Sequence, residues 1–355
     1  KIQQTMKDYL ANDRMRCIED SLVLVERKLS SGKTRFGLVG KLDLEQYSYE
    51  KGSGTPIRAT EGTVLSRIPP RMKVRRGAEV ELPHIMVLID DPEKTVIEPL
   101  CTQPPRSNKS PIYMASLMED GGRIWGYRLS PEQNQAVEDA LTALADPKRF
   151  EAFYHAPGKP VLTFAMGDGN HSLATAKACW EERKATLSPE EQADHPARYA
   201  LVELVNLHDE SLEFEAIHRV LFDVEPKALL EALLAAYPGA HYGEGEGHQL
   251  HYVLAEEEGI VTVPDPKAQL EVGTLQTFLD QYLEDHGGRI DYIHGEDVTR
   301  ELARQPGAIG FLLPAMGKDQ LFPTVIFDGA LPRKTFSMGE AQDKRFYLEA
   351  RKIVK

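Results

Sequence analysis

Residues 161–172 bring together an apolar run (161–166), a polar glycine turn (Gly167-Asp168-Gly169-Asn170-His171-Ser172) and the start of an amphipathic stretch (173–183). The order reads as strand, tight turn, helix, which commits this part of the chain to an α/β arrangement. The glycines permit positive φ and a close approach of backbone to a ligand. The amides opening the helix are unpaired donors at the positive end of its dipole. Such a turn suits an anion. Asp168 and His171 add a carboxylate and an imidazole, more than anion binding requires, and point to proton transfer or metal-assisted phosphate chemistry. The plainer alternative is a helix start at which Asp168 or Asn170 is only an N-cap. On these residues alone both readings stand.

The chain has 355 residues, 41% hydrophobic and 27% charged, enough for two or three compact units with a large core. Forty-two basic against 55 acidic residues give a net charge of −13, which repels a polyanion, so nucleic acid is not an expected partner. No apolar run approaches membrane-spanning length and residues 1–4 carry no signal-peptide pattern, so a cytoplasmic protein without a membrane partner is expected. Cys17, Cys101 and Cys179 are far apart and in no metal-type pair, which fits a reducing compartment and packing roles and argues against a zinc site. The first residue is not methionine and a helical pattern (Met6, Leu10) is already under way, as expected of a piece of a longer protein.

Along the chain, 21–28 and 35–43 read as a hairpin around Ser30-Ser31-Gly32-Lys33. Gly32-Lys33-Thr34 is not a phosphate loop, because the earlier glycine would fall at Arg27 and no helix follows. Residues 51–78, rich in Gly, Pro and Arg, read as a long functional loop. Strands are expected at 85–89, 123–129, 199–207, 249–255, 259–263 and 308–313, with a strand or short element at 214–222. Helices are expected at 131–145, with Ser130 as cap and Pro131 at its first position, at 226–236 and at 274–286. The character changes at Pro226. The expected organisation is a core over 1–225, an α/β lobe over 226–315 and a basic carboxyl segment, 316–355, returning to the core.

Several motifs fail, and the failures narrow the chemistry. The glycines of 243–247 alternate with glutamates that would oppose an anion, so a solvated turn is expected. A calcium loop starting at Asp168 would place Cys179 where glutamate is needed. Neither a His-Glu-x-x-His zinc motif nor a Gly-x-Ser-x-Gly nucleophile elbow is present.

Three separate motifs carry a resemblance. The strand and turn Gly-Asp-Gly-Asn-His-Ser-Leu-Ala-Thr-Ala, the run Glu203-Leu204-Val205-Asn206-Leu207 with Ala216-Ile217-His218-Arg219, and Leu331-Pro332-Arg333-Lys334-Thr335 together resemble the family called domain of unknown function 1015. Its usual turn is Asp-Gly-His-His-Arg. This chain keeps Asp168, Gly169 and His171 but has Asn170 and Ser172 in the other places, so another cation must supply the missing arginine's charge. The turn is also distantly similar to that of free-serine kinases with a ParB/sulfiredoxin-like fold. The resemblance implies a mixed α/β fold with a mixed-sheet core, a ParB/sulfiredoxin-like element and a second α/β lobe. It implies phosphotransfer between ADP or ATP and a small hydroxylated metabolite, serine or phosphoserine, with Mg²⁺ held through Asp168.

Phosphoryl transfer needs positioning, cations around the moving group and a base or acid at the hydroxyl. Glu61 lies where relatives place a similar Arg-x-x-Glu element, here Arg58 to Glu61, and is the expected general base. Asp168 and His171 join it as catalytic residues. Gly169, Asn170, Ser172, Arg58, His218, Arg219, Arg333 and Lys334 are expected at the phosphate or substrate. The alternative for the loop arginines 58, 67, 71, 75 and 76 is a solvated charged loop, and for His218 a hydrogen-bonded core histidine. Trp180 and Leu173 are expected in the core. Two other functions stay open: a non-catalytic nucleotide- or DNA-related binding protein of ParB-like type, and a metal-dependent phosphohydrolase. A homodimer also stays open.

Overall fold

The computed structural model describes all residues except 83–84, 103–109, 256, 340 and the side chains of 341–342. Among the described residues, eleven α-helices and two large sheets make a mixed α/β protein, one of whose sheets combines parallel and antiparallel strands. The chain forms two compact units, Lys1–Leu212 with Gly339–Lys355, and Glu213–Met338.

The first unit is built on a nine-stranded sheet in the order Tyr47–Ser48, Ile57–Arg58, Phe164–Asp168, Met86–Ile89, Tyr199–Asn206, Thr34–Asp43, Val23–Lys28, Arg123–Arg128, Tyr113–Ser116. The 23–43 hairpin is antiparallel, closed by Leu29 N–H donating to Lys33 O at 2.8 Å over a left-handed Gly32. Period-two alternation then sorts the side chains. Leu24, Leu38, Val202 and Leu204 face a core that contains Trp180 and Leu173, while Val23, Val25, Val39 and Leu201 face the other side with Ile124. Trp180 and Leu173 are 1% and 0% exposed, the core positions expected of them. Cys17, by contrast, is exposed, and Cys101 and Cys179 are half-buried.

Residues 51–78 are more ordered than a loop. They contain the strand Ile57–Arg58 and the helix Ile68–Arg75, with prolines in its first turn. Pro69 and Pro70 open that helix. At the start of a helix they cost no hydrogen bond, since those amides have no intrahelical acceptor. Ile68 and Met72 then pack on Ala174 of the helix Asn170–Lys184.

The second unit is an antiparallel sheet in the order His241–Tyr242, Glu258–Val263, His248–Val253, Ile309–Leu312, Phe214–Phe222, Arg289–His294, with Phe336–Met338 also paired to Phe214–Phe222. The helices Pro226–Ala236 and Glu271–His286 bury Leu229, Leu230 and Leu233, and Leu275, Phe278 and Leu279. Because Phe214–Phe222 pairs with three strands of this sheet, it belongs to the second unit. The sequence boundary at 225/226 therefore marks a helix start inside that unit. Likewise 316 falls within it, just before the helix Lys318–Phe327. Among the described residues no helix is long and apolar enough to cross a membrane.

Candidate functional site

The strand Phe164–Asp168 runs antiparallel to Met86–Ile89, and its register slips at the turn: Met86 faces Asp168 while Val87 faces Met166. Gly167 is the extra residue. A Cβ there would lie 2.9 Å from Leu88 Cγ, so only glycine lets the strand bulge this closely against its neighbour. Gly169 follows at φ +90°, a left-handed position natural for glycine, and turns the chain directly into the helix Asn170–Lys184. No side chain caps that helix. Its first internal bond is Leu173 N–H to Gly169 O at 3.0 Å, so the amides of Asn170, His171 and Ser172 precede the helical ladder. The N-cap position is Gly169, not Asp168 or Asn170, and Asp168 Oδ1 accepts Gly169 N–H at 2.7 Å.

The next segment folds onto this turn. Thr60 donates its hydroxyl to Met166 O at 2.7 Å and its N–H to Asn170 Oδ1 at 3.3 Å. Val64 donates its N–H to His171 Nε2, also at 3.3 Å. Glu61, half-buried, lies in the chain between these two tethered residues. In the same stretch Thr63 carries a buried hydroxyl with no hydrogen-bond partner among the described residues.

The tethers change the role of His171. Its Nε2 accepts an amide proton, so the ring is neutral here with the lone pair a general base needs already engaged. Burial, then the nearby charges of Arg67 and Arg71, hold its pKa below the ordinary histidine value. In this structure His171 holds the segment after Glu61 through Val64 N–H, with its Nε2 lone pair engaged.

Three cations stand at the turn. Arg67 and Arg71 are exposed and close enough to depress His171, and Lys344 Nζ lies 4.0 Å from Asp168 Oδ2. Lys344 had no motif to betray it, since it sits far along a polar carboxyl segment. The other loop arginines are spent on architecture. Arg75 pairs with Glu81 at 2.6 Å and Arg76 with Glu182 at 2.6 Å. Arg58 is 5% exposed and donates to Thr55 O, Pro160 O and Val161 O, so the expectation that it binds phosphate gives way to a brace for three backbone carbonyls.

Asp168 was expected to hold a metal. Among the described residues no group of three or more His, Cys, Asp or Glu side chains could hold one. One oxygen of Asp168 faces an amide and the other an ammonium, a donor-rich surrounding that does not fit a resident Mg²⁺.

The remaining expected residues are gathered in the second unit. His218 is 3% exposed and its Nδ1 accepts Leu313 N–H at 3.1 Å, with burial lowering its pKa. Arg219, 0% exposed, donates to Gln276 Oε1 at 3.2 Å, to Ile217 O and to Arg333 O at 2.9 Å, and stacks on Tyr292. Arg333 pairs with Asp280 at 2.7 Å at the surface, and Lys334 is exposed in a left-handed turn. Expected at a phosphate, His218 and Arg219 instead serve protein acceptors and donors in this structure. Of the motif residues Glu203 and Asn206, the first pairs with Arg35 at 3.0 Å and the second ties Asp91 O to Glu98.

The fold and turn define a mixed α/β protein with an uncapped, glycine-opened helix as its candidate site. A family model described as "Protein of unknown function (DUF1015)" matches residues 1–282, and the chain belongs to that family. None of the curated proteins matches it. Solved structures with a distant likeness include a free serine kinase in complex with AMP, at 10% identity and TM-score 0.42 over 85% of this chain and 87% of that one. A conserved hypothetical protein from Pyrococcus furiosus has 10% identity and TM-score 0.42 over 89% and 95% of the two chains. SbnI with a C-terminal truncation, from Staphylococcus aureus, has 9% identity and TM-score 0.42 over 85% and 83%. These likenesses are too loose to carry residue roles across.

Proposed function

We propose that this protein moves a phosphoryl group between a nucleotide and the hydroxyl of a small metabolite. One observation carries the reading: the helix after Gly169 opens without a cap, and Asn170 and His171 on its first turn tether the loop that holds Glu61. The amides of 170–172 donate to phosphate oxygens along the helix dipole. Arg67 and Arg71 balance the charge of the transferring group. In the direction of phosphorylation, the metabolite oxygen attacks phosphorus, the bond to the nucleotide's leaving phosphate breaks, and Glu61 takes the hydroxyl proton. Serine and phosphoserine, with ADP and ATP, are the pair that the family resemblance implies.

Calorimetric titration of the full chain with ADP, ATP and phosphoserine tests this, with transfer followed by phosphorus NMR. Binding of a nucleotide and its interconversion in the presence of serine or phosphoserine is the expected result. Release of inorganic phosphate from phosphoserine with no nucleotide present would mark a phosphohydrolase instead. Binding of none of the three would sink the reading.

A further inference from the structure

The turn from Asp168 to Ser172 contains no permanent cation, yet an ammonium is delivered to it from the other end of the chain. Residues 343–352 cross the sheet face that carries Arg27, Arg35 and Glu203, and side chains on both sides of Lys344 are anchored there. Before it, Asp343 accepts the N–H and hydroxyl of Ser30 at 3.2 Å each. After it, the Tyr347 hydroxyl donates to Glu203 at 2.9 Å and accepts from Arg35 at 3.3 Å, with the Arg27 guanidinium 5.7 Å from its ring centre. Tyr113 donates to Glu349, Arg351 donates to Glu81 at 2.7 Å, and Arg351–Lys352 pairs with Val80–Glu81.

The sheet register explains why this segment reaches the turn. Glu203 is level with Met86, and Met86 with Asp168, so Glu203 and Asp168 lie in one cross-strand row two strands apart. Two strand spacings are about 10 Å, within the maximum span of the three residues from 347 back to 344, which pass through a left-handed Phe346. Tyr347 docked on Glu203 therefore sets Lys344 beside Asp168. The anchor is rigid: Arg35 and Glu203 have side chains only 4% and 2% exposed and are joined by two hydrogen bonds, at 3.3 and 3.0 Å. Lys344 itself is not locked. At 4.0 Å from Asp168 it is beyond hydrogen-bond distance, and its side chain is 32% exposed.

We infer that Lys344 is a phosphate-binding residue of this site, presented by a carboxyl-terminal strap whose positioning residue is Tyr347. The inference rests on the proposed phosphoryl transfer at the turn. An ammonium on a flexible stem, held near but not against a carboxylate, can swing to an arriving phosphate and return to Asp168 when the site empties.

ADP and inorganic phosphate are titrated into the full-chain wild type, Lys344→Met, Lys344→Arg, Tyr347→Phe and the Lys344→Met/Tyr347→Phe double variant, with Tm measured on each. Lys344→Met should weaken ADP by about 10- to 150-fold, the loss of one charged hydrogen bond, with Tm essentially unchanged. Lys344→Arg should recover most of the affinity. Tyr347→Phe should weaken ADP when Lys344 is present but not in the Lys344→Met background, a coupling that a purely structural tyrosine would not show. A wild type that binds ADP while Lys344→Met binds it equally well, or loses affinity only in step with a falling Tm, overturns the inference and leaves the proposed function standing. A wild type that binds neither probe overturns both.

Discussion

The glycine turn at Asp168 and the histidine–arginine strand at His218 were both expected at one site from the sequence, each a few polar residues set in apolar surroundings. Folded, they differ in how fully their polar groups are used. At His218 and Arg219 burial is nearly complete, and ring and guanidinium meet backbone and side-chain partners of their own unit. At the turn the side chains from Asp168 to Ser172 are half-buried, the helix start is uncapped, and Arg67 and Arg71 are exposed. A buried charge must be satisfied within the fold, whereas a half-exposed one can exchange water for a ligand. The difference teaches that a motif's residue types do not tell architecture from chemistry; the state of their hydrogen bonds does.

The comparison can be broken first at Glu61. Glu61→Gln should lower turnover by about two to four powers of ten, roughly 3–5 kcal/mol of barrier, with the fold intact. Retained turnover would remove Glu61 as the base and leave the turn a binding element. Arg219→Met comes next, with an expected loss of about 3 kcal/mol of stability in urea unfolding as the acceptors around it lose their donor. Arg333→Met, at an exposed pair, should cost no more than about 1 kcal/mol. If the two arginine variants lost equal stability, the contrast between committed and exposed charges would fail.

The finest contrast lies in pH. Burial foremost, with Arg67 and Arg71 after it, keeps His171 below its ordinary value, and burial does the same for His218. The unfolded chain then binds protons first as pH falls through about 6.5, so stability should be level above that point and decline below it. His171→Asn should make the decline shallower, since it removes one of these groups and the acceptor of Val64 N–H. Identical slopes in wild type and variant would show that His171 titrates alike in both states.

Much of the framework was readable because local signals agreed with the tertiary fold. Ser130 and Pro131 announced the helix Pro131–Leu144, which opens with a capping box to Gln133. The apolar run at 214–222 is the strand Phe214–Phe222, and glycines 167 and 169 sit where a bulge and a left-handed residue require them. Pro69 and Pro70 sit in the first turn of a helix, inside the stretch that read as a long loop. Arginine misled more deeply. Arg58, Arg75 and Arg76 look like a cationic loop in one dimension, but their partners at 160–161, 81 and 182 exist only after folding. Lys344 lay beyond any local pattern, because what places it is a sheet register set by Glu203 and Met86.

The strap also fixes an order of assembly. Asp343 binds Ser30 across 313 residues of sequence, and the whole of Glu213–Met338 is emitted between the two parts of the first unit. At translation rates of about 5–20 residues per second, the sheet holding the glycine turn waits on the order of ten seconds for Gly339–Lys355. During that wait the second unit can close on itself, while the face of Arg27, Arg35 and Glu203 stays uncovered, with buried charges still hydrated. A ribosome stalled before residue 343 would therefore display that sheet without the side chains of Asp343, Tyr347 and Arg351 that dock on it.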